Sequence, residues 1–168
     1  GDTVGVSKLI RYPGGIIPIM ITTGLEKNTA TTLWGISWGM PANCAGPACT
    51  MFDIFNPAVE GDAIAGGGKV VRSSRLDVRI EFVAAGDISN SVSPFLLGVP
   101  AVGIQDPMVA DIALVIRTHG KVIPELLNSQ LTTYNGGCTF DFLPPIPELG
   151  APGPNTCQDI QFTLHTAN

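Results

Sequence analysis

Ala110–Cys138 reads ADIALVIRTHGKVIPELLNSQLTTYNGGC, and its first third decides the fold. From Asp111 to Thr118, Ile112, Leu114 and Ile116 alternate with Ala113, Val115 and Arg117. Apolar residues on both faces of one strand predict a central strand, covered on two sides. Arg117-Thr118-His119-Gly120 ends it. Pro124 then opens a short helix over Glu125–Gln130, because proline suits a first helical position, where the N–H it lacks would be unpaired anyway. Asn135-Gly136-Gly137 is a turn that stops the unit at Cys138.

Similar signals recur on either side of this unit. Thr3–Tyr12 reads as a first strand, with Val4, Val6 and Ile10 on one face, and Pro13-Gly14-Gly15 turns the chain into a second, Ile16–Thr23. Pro18 cannot donate to a ladder, which predicts an edge strand or a bulge there. Thr29–Trp38 is a third strand, with Trp34, Ile36 and Trp38 on one face and Leu33 and Gly35 on the other. Met40–Gly68 lacks periodicity and reads as a long irregular region, of the kind that is either functional or stapled down. Lys69–Val83 alternates most cleanly, with Leu76, Val78, Ile80 and Phe82 inward and Arg75, Asp77, Arg79 and Glu81 outward; Ser73-Ser74 is a bulge or a hairpin turn. Gly86–Pro107 is loop with a short strand at Phe95–Val99, and Thr139–Gly153 is a Pro-rich loop. The last strand, Gln158–Thr166, points Ile160, Phe162 and Leu164 inward and Gln161, Thr163 and His165 outward. Seven or eight strands with frequent turn signals predict a single antiparallel β-sandwich over residues 1–168, Greek-key or jelly-roll in style, with one short helix and long disulfide-stapled loops.

Composition narrows the function classes. Charged residues are 14% of the chain, against roughly 25% in ordinary soluble domains. The net charge of −5 and pI near 4.8 argue against nucleic acid, whose phosphates require a basic face. No apolar run reaches the roughly 18 residues of a membrane helix. Four cysteines in two local groups predict the disulfides Cys44–Cys49 and Cys138–Cys157 and an oxidising compartment; a four-thiolate zinc site is the alternative. Gly1-Asp2-Thr3 fits the start of a processed, secreted chain, and the lack of an N-x-S/T sequon favours a prokaryotic source.

The remaining candidate chemistry is sparse. Gly35-Ile36-Ser37-Trp38-Gly39 matches the nucleophile pattern G-x-S-x-G, but that chemistry needs a strand, a sharp turn and a helix, and here Met40-Pro41 follows. His119, at a strand end beside Gly120, is a candidate ligand contact, with hydrogen bonding to nearby backbone as its plainer role; His165 reads as solvent-facing. Asp53, Glu60 and Asp62 are oxygen donors that could bind calcium, though in no recognised spacing. Trp34 and Trp38 form either a platform for a sugar or part of the core. The residues point to no catalytic group, cofactor or metal.

Four segments together are TTLWGISWGMPANCAGPAC (Thr31–Cys49), FNPAV (Phe55–Val59), LVIRTHGKVIPELLNSQLTTYNGGC (Leu114–Cys138) and CQDIQFTLH (Cys157–His165). They resemble a family of uncharacterised secreted bacterial proteins, most specifically in the R-T-H-G…I-P…Q-L-T-T…G-G-C run. In place of two adjacent tryptophans in the first segment, this chain has Trp34-Gly35. The resemblance implies a secreted protein and carries no activity, cofactor or site residue.

The expectation is a non-catalytic, secreted or cell-surface subunit that assembles with copies of itself. With 9 Lys and Arg and 14 Asp and Glu, several of them on the Arg75–Glu81 face, other faces must be nearly neutral, and such patches mark interfaces. A terminal strand added to a neighbour's sheet edge is one route to such assembly. A monomeric carbohydrate- or small-ligand-binding module is the alternative, and a hydrolase using Ser37 or His119 is the least favoured.

Overall fold

A computed structural model describes residues 4–79, 83–139 and 146–167. Among these residues eight strands fall in two antiparallel sheets: β1 (Val4–Tyr12), β2 (Gly15–Thr23), β3 (Thr29–Trp38), β4 (Gly61–Val70), β5 (Arg75–Arg79), β6 (Val83–Ala84), β7 (Asp111–Lys121) and β8 (Gln158–His165). The first sheet has the order β1-β2-β5, with β6 also paired to β2; the second has the order β4-β3-β7-β8. The molecule is the β-sandwich that the alternation predicts.

The two-faced reading of the central strands holds. Leu33 on β3 and Ile112, Leu114 and Ile116 on β7 pack between the sheets against Ile16, Met20, Leu76 and Val78. Trp34, Ile36 and Trp38 on β3 and Ala113 and Val115 on β7 join a second cluster, with Cys49, Ile54 and Val59. The second sheet is therefore buried on both sides, inwardly by the first sheet and outwardly by a layer of loops and short helices. That layer holds 3-10 turns at Pro41–Asn43, Met51–Phe55 and Pro57–Val59, the helix α1 (Ser93–Leu96), and the helix α2 (Leu127–Thr132), preceded by a 3-10 turn at Pro124–Leu126. The expected helix at Glu125–Gln130 is this last pair.

Several expectations are corrected. The alternating stretch Lys69–Val83 is not one strand: β4 belongs to the second sheet and β5 to the first, and the chain crosses between them at 71–74 around the fully buried Val71. Leu76 and Val78 do point inward and Arg75, Asp77 and Arg79 outward; Ile80, Glu81 and Phe82, like Thr3, lie outside the described residues. The irregular region ends at Glu60, because Gly61–Gly68 is strand. Its glycines hid it. Gly68 is one that packing requires, since a Cβ there would collide with the backbone of Leu131 in α2. Phe95–Val99 is not a strand; its first residues lie in α1, where Pro94 takes an early helical position. β2 is no edge, having β1 on one side and β5 and β6 on the other; among the described residues, no partner on that second side falls opposite Pro18. β7 runs on to Lys121, so His119 is within the strand.

The facing of β8 also differs from simple alternation. Ile116 pairs with Gln161 but Arg117 with Asp159, leaving Ile160 as a bulge. A bulge shifts the side-chain alternation by one. Ile160 and Gln161 therefore both turn toward the first sheet, where Gln161 accepts a hydrogen bond from Thr22 and His165 meets Ser7 Oγ at 2.8 Å. Phe162 and Leu164 turn to the outer side. The edges of the two sheets are clasped by Arg11, which donates to the carbonyls of Pro107 and Ala110 at 2.7 Å and of His165 at 3.0 Å. Both terminal strands thus pair within this chain. No described helix is long and apolar enough to cross a membrane.

Candidate binding surfaces

The cover over the second sheet is built from two stapled blocks. In the first, Cys44–Cys49 closes a tight loop, Trp38 Nε1 donates to the Thr50 carbonyl at 3.1 Å, and Asp53 caps the turn that follows. The Asp53 carboxylate accepts from Ala45 N (2.8 Å), Thr50 N (2.7 Å) and Thr50 Oγ1 (2.9 Å), and these bonds hold its pKa below the ordinary value. In the second block Cys138–Cys157 joins the turn after α2 to the start of β8. Both pairings are those that proximity predicts.

His119 is the pivot of the second block. It is fully buried, with Nδ1 2.9 Å from the Gly136 carbonyl and Nε2 2.8 Å from Thr32 Oγ1. A carbonyl only accepts, so the proton sits on Nδ1, and Nε2 accepts from the Thr32 hydroxyl. That hydroxyl in turn accepts from Trp34 Nε1 at 2.7 Å. Burial lowers the His119 pKa to about 4, the Gly136 bond opposing and the Arg117 charge assisting, so the imidazole is neutral at physiological pH. Among the described residues, His119, Cys138 and Cys157 are the one group of potential metal ligands brought together, and both sulfurs are committed to the disulfide.

Asp53, Glu60 and Asp62 are not brought together. Asp62 is fully buried and accepts from Ser91 Oγ and Ser93 Oγ at 2.6 Å, Val102 N at 3.0 Å and Gly103 N at 2.6 Å. It anchors the 85–104 segment to β4. Ser37 is 1% exposed within the extended β3, so its hydroxyl cannot meet a substrate.

Between the two stapled blocks the cover is interrupted, leaving a groove of about 270 Å³. Its floor is Ile36, Ala63 and Val115, and its walls include Trp34, Tyr134, Met51, Leu96 and Phe162, with Asp159 at the rim. Trp34 meets Tyr134 edge-to-face, with ring centroids 5.3 Å apart. The Arg117 guanidinium lies 4.1 Å from the Tyr134 ring centroid and donates to the Tyr134 carbonyl, Asp159 and Asn135. Burial raises the Tyr134 pKa, which keeps its hydroxyl protonated. Of the expected contact residues, only Trp34 reaches this groove; Trp38 is 1% exposed beneath the first block, and His119 acts on Trp34 from behind through Thr32. Nothing in the chain marks Tyr134, Phe162, Leu96 or Met51 as contacts: the bulge hides the facing of Phe162, Leu96 lies in a helix that reads as a strand, and Tyr134 and Met51 lie in irregular segments.

The second surface is the outer face of the first sheet. The register sets Val6 beside Ile21, Lys8 beside Ile19, and Ile10 beside Ile17, and on the other side Arg79 beside Ile19 and Asp77 beside Ile21. The result is a stripe of half-buried isoleucines, with Val6 64% exposed at its edge. Both described α-helices pack on the second sheet.

No family model, curated protein or solved structure matches this chain.

Proposed function

We propose that this chain is a non-catalytic, extracellular structural subunit that self-associates. The observation that carries this reading is the outer face of the first sheet, where Ile17, Ile19 and Ile21 form a continuous stripe flanked by Val6 and Ile10. A sheet that faces water usually alternates apolar-in with polar-out; here both directions are apolar along β2. Covering that stripe would contribute a few kcal/mol, at ~25 cal/mol per Å² of apolar surface removed from water. Two disulfides and an acidic, charge-poor composition suit an oxidising exterior. Sedimentation velocity across a range of concentrations, with negative-stain imaging, tests the proposal. Species that grow with concentration are expected, and a monomer throughout would refute it.

The groove favours a second reading, a small-ligand site. Its walls are aromatic and aliphatic, with Asp159 at the rim and the Tyr134 hydroxyl as polar groups, so an apolar ligand fits it better than a sugar, which needs several convergent polar partners. Saturable binding of an apolar fluorescent probe that is lost in Phe162→Ala would support this reading; non-saturable binding would exclude it.

A further inference from the structure

Resting on self-association, we infer that the outer face of the first sheet docks onto the groove-bearing face of a second copy, so that copies stack head to tail. Two observations carry this inference: the complementary charge of the two faces, and the exposed apolar groups that both present.

The charges are segregated. On the outer face of the first sheet Lys8 and Arg79 flank the isoleucine stripe, and Arg75 and Asp77 neutralise each other at 2.9 Å, so Lys8 and Arg79 set the sign of the described residues there. The groove side is the reverse. Its lining and cover come from β3 and from the described stretches 40–68, 83–116, 122–139 and 146–167, none of which contains a lysine or arginine. Arg117, beside the groove, lies beneath Tyr134 and is paired with Asp159 at 3.0 Å, so the two together add no net charge there. Glu60, at the end of the Pro57–Val59 turn of the cover, and Glu148, in the Pro147–Leu149 turn that packs on α1, are exposed and supply negative charge to this layer. Two copies meeting by their first sheets would oppose Lys8 and Arg79 to themselves. Two groove-bearing faces would likewise set acid against acid, Glu60 and Glu148 among them. Head-to-tail contact alone sets opposite signs together, and like-charge juxtaposition is what selects against wrong partners.

Both faces also offer apolar surface: the isoleucine stripe on one, and on the other a groove whose mouth is apolar, with Phe162 60% and Met51 38% exposed. Such a contact is heterologous. Each copy uses both faces, and growth continues as a filament unless the rotation between copies closes a ring.

Complementary interface variants test this directly. Ile19→Glu spoils the stripe and leaves the groove face intact; Phe162→Lys places a cation at the groove mouth and leaves the stripe intact. Both side chains face outward, and thermal melting confirms that each variant folds; Val6→Glu replaces Ile19→Glu if the latter does not. Each variant alone is expected to self-associate about thirtyfold more weakly than the unmodified chain, the change typical of losing an apolar anchor. An equimolar mixture is expected to recover association, because one variant keeps an intact groove and the other an intact stripe. If the mixture stays monomeric, or either variant alone associates as the unmodified chain does, the head-to-tail arrangement is wrong while self-association stands. A monomeric unmodified chain would overturn both.

Discussion

Replacing Asp62 with alanine is expected to destabilise the protein by about 3 kcal/mol. The carboxylate lies on β4, fully buried, and takes four donors from the 85–104 segment. In Asp62→Ala the two serine hydroxyls can rotate toward other acceptors, and Ser93 Oγ already receives Ala63 N at 2.7 Å. The Val102 and Gly103 N–H groups have no such freedom. Each orphaned buried donor costs about 1–3 kcal/mol, and relief from desolvating a carboxylate offsets part of the sum, leaving about 3 kcal/mol. For a domain of this size that lowers Tm by about 6–12 °C. Asp62→Asn should be nearly as harmful, because its amide turns a donor toward groups that are themselves donors. Because Ser93 opens α1 and Leu96 closes it, the groove wall should loosen too, read as weaker binding of an apolar probe. Urea unfolding with a shared slope gives the free energy. If Asp62→Ala lies within about 0.5 kcal/mol of the parent, the range of an ordinary surface change, the anchoring account is wrong.

Three further outcomes follow from the buried groups. His119 has a folded pKa of about 4, below its unfolded 6.5, so its contribution is full above pH 6.5 and is lost as pH falls toward 4; relative to His119→Gln, the parent should lose up to about 3 kcal/mol across that window, at 1.36 kcal/mol per pH unit, and an NMR midpoint for His119 near 6.5 would contradict a buried neutral ring. Replacing both Cys138 and Cys157 with alanine should cost about 3 kcal/mol, and replacing Cys44 and Cys49 about 2, since the closed loops differ in length; urea unfolding that reverses this order would show that strain or native contacts outweigh chain entropy. Gly35→Ala should stabilise by about 0.5–1 kcal/mol, because a Cβ there meets no atom within 4 Å; a measured loss would mean that β3 needs the glycine for another reason.

What could be read in the sequence depended on where side-chain alternation reports burial. β3 and β7 were legible because Trp34, Ile36, Val115 and Ala113 on one face and Leu33, Ile112, Leu114 and Ile116 on the other both bury apolar groups. β5 was legible, but its separation from β4 was not: the alternation in Arg75–Arg79 gives no sign that the chain has changed sheets at Val71. β4 itself was invisible, since Gly66, Gly67 and Gly68 supply no side chains to alternate. The bulge at Ile160 reversed the facing of Gln161, Phe162 and His165, and no residue in that strand announces it. The groove was the least legible feature. Its residues come from β3, Met51, β4, α1, β7, Tyr134 and β8, a convergence that exists only in three dimensions, and among them only Trp34 stands out in the chain as a candidate contact.

The groove walls and the isoleucine stripe share a property that bears on function: their positions are set by groups behind them. Trp34 is fixed by Thr32, whose hydroxyl is oriented by His119, which is oriented by Gly136. Tyr134 is clamped by Arg117 through its ring and its carbonyl. Leu96 sits in the helix that Asp62 anchors through Ser93, and Met51 begins the turn that Asp53 caps beside a disulfide. Ile19 and Ile21 are held by strand pairing on both sides. Ordering a rotamer-rich side chain on association costs about 0.5–1.5 kcal/mol each, and here much of that ordering is complete before any partner arrives. Polar groups in a core are an inefficient way to gain stability, because each must be fully satisfied to break even. Their concentration directly behind the groove is better explained by the shape they impose on it, so under the proposed head-to-tail association, mutations at Thr32, His119 or Arg117 should weaken sedimentation-detected self-association more than their distance from the surface suggests.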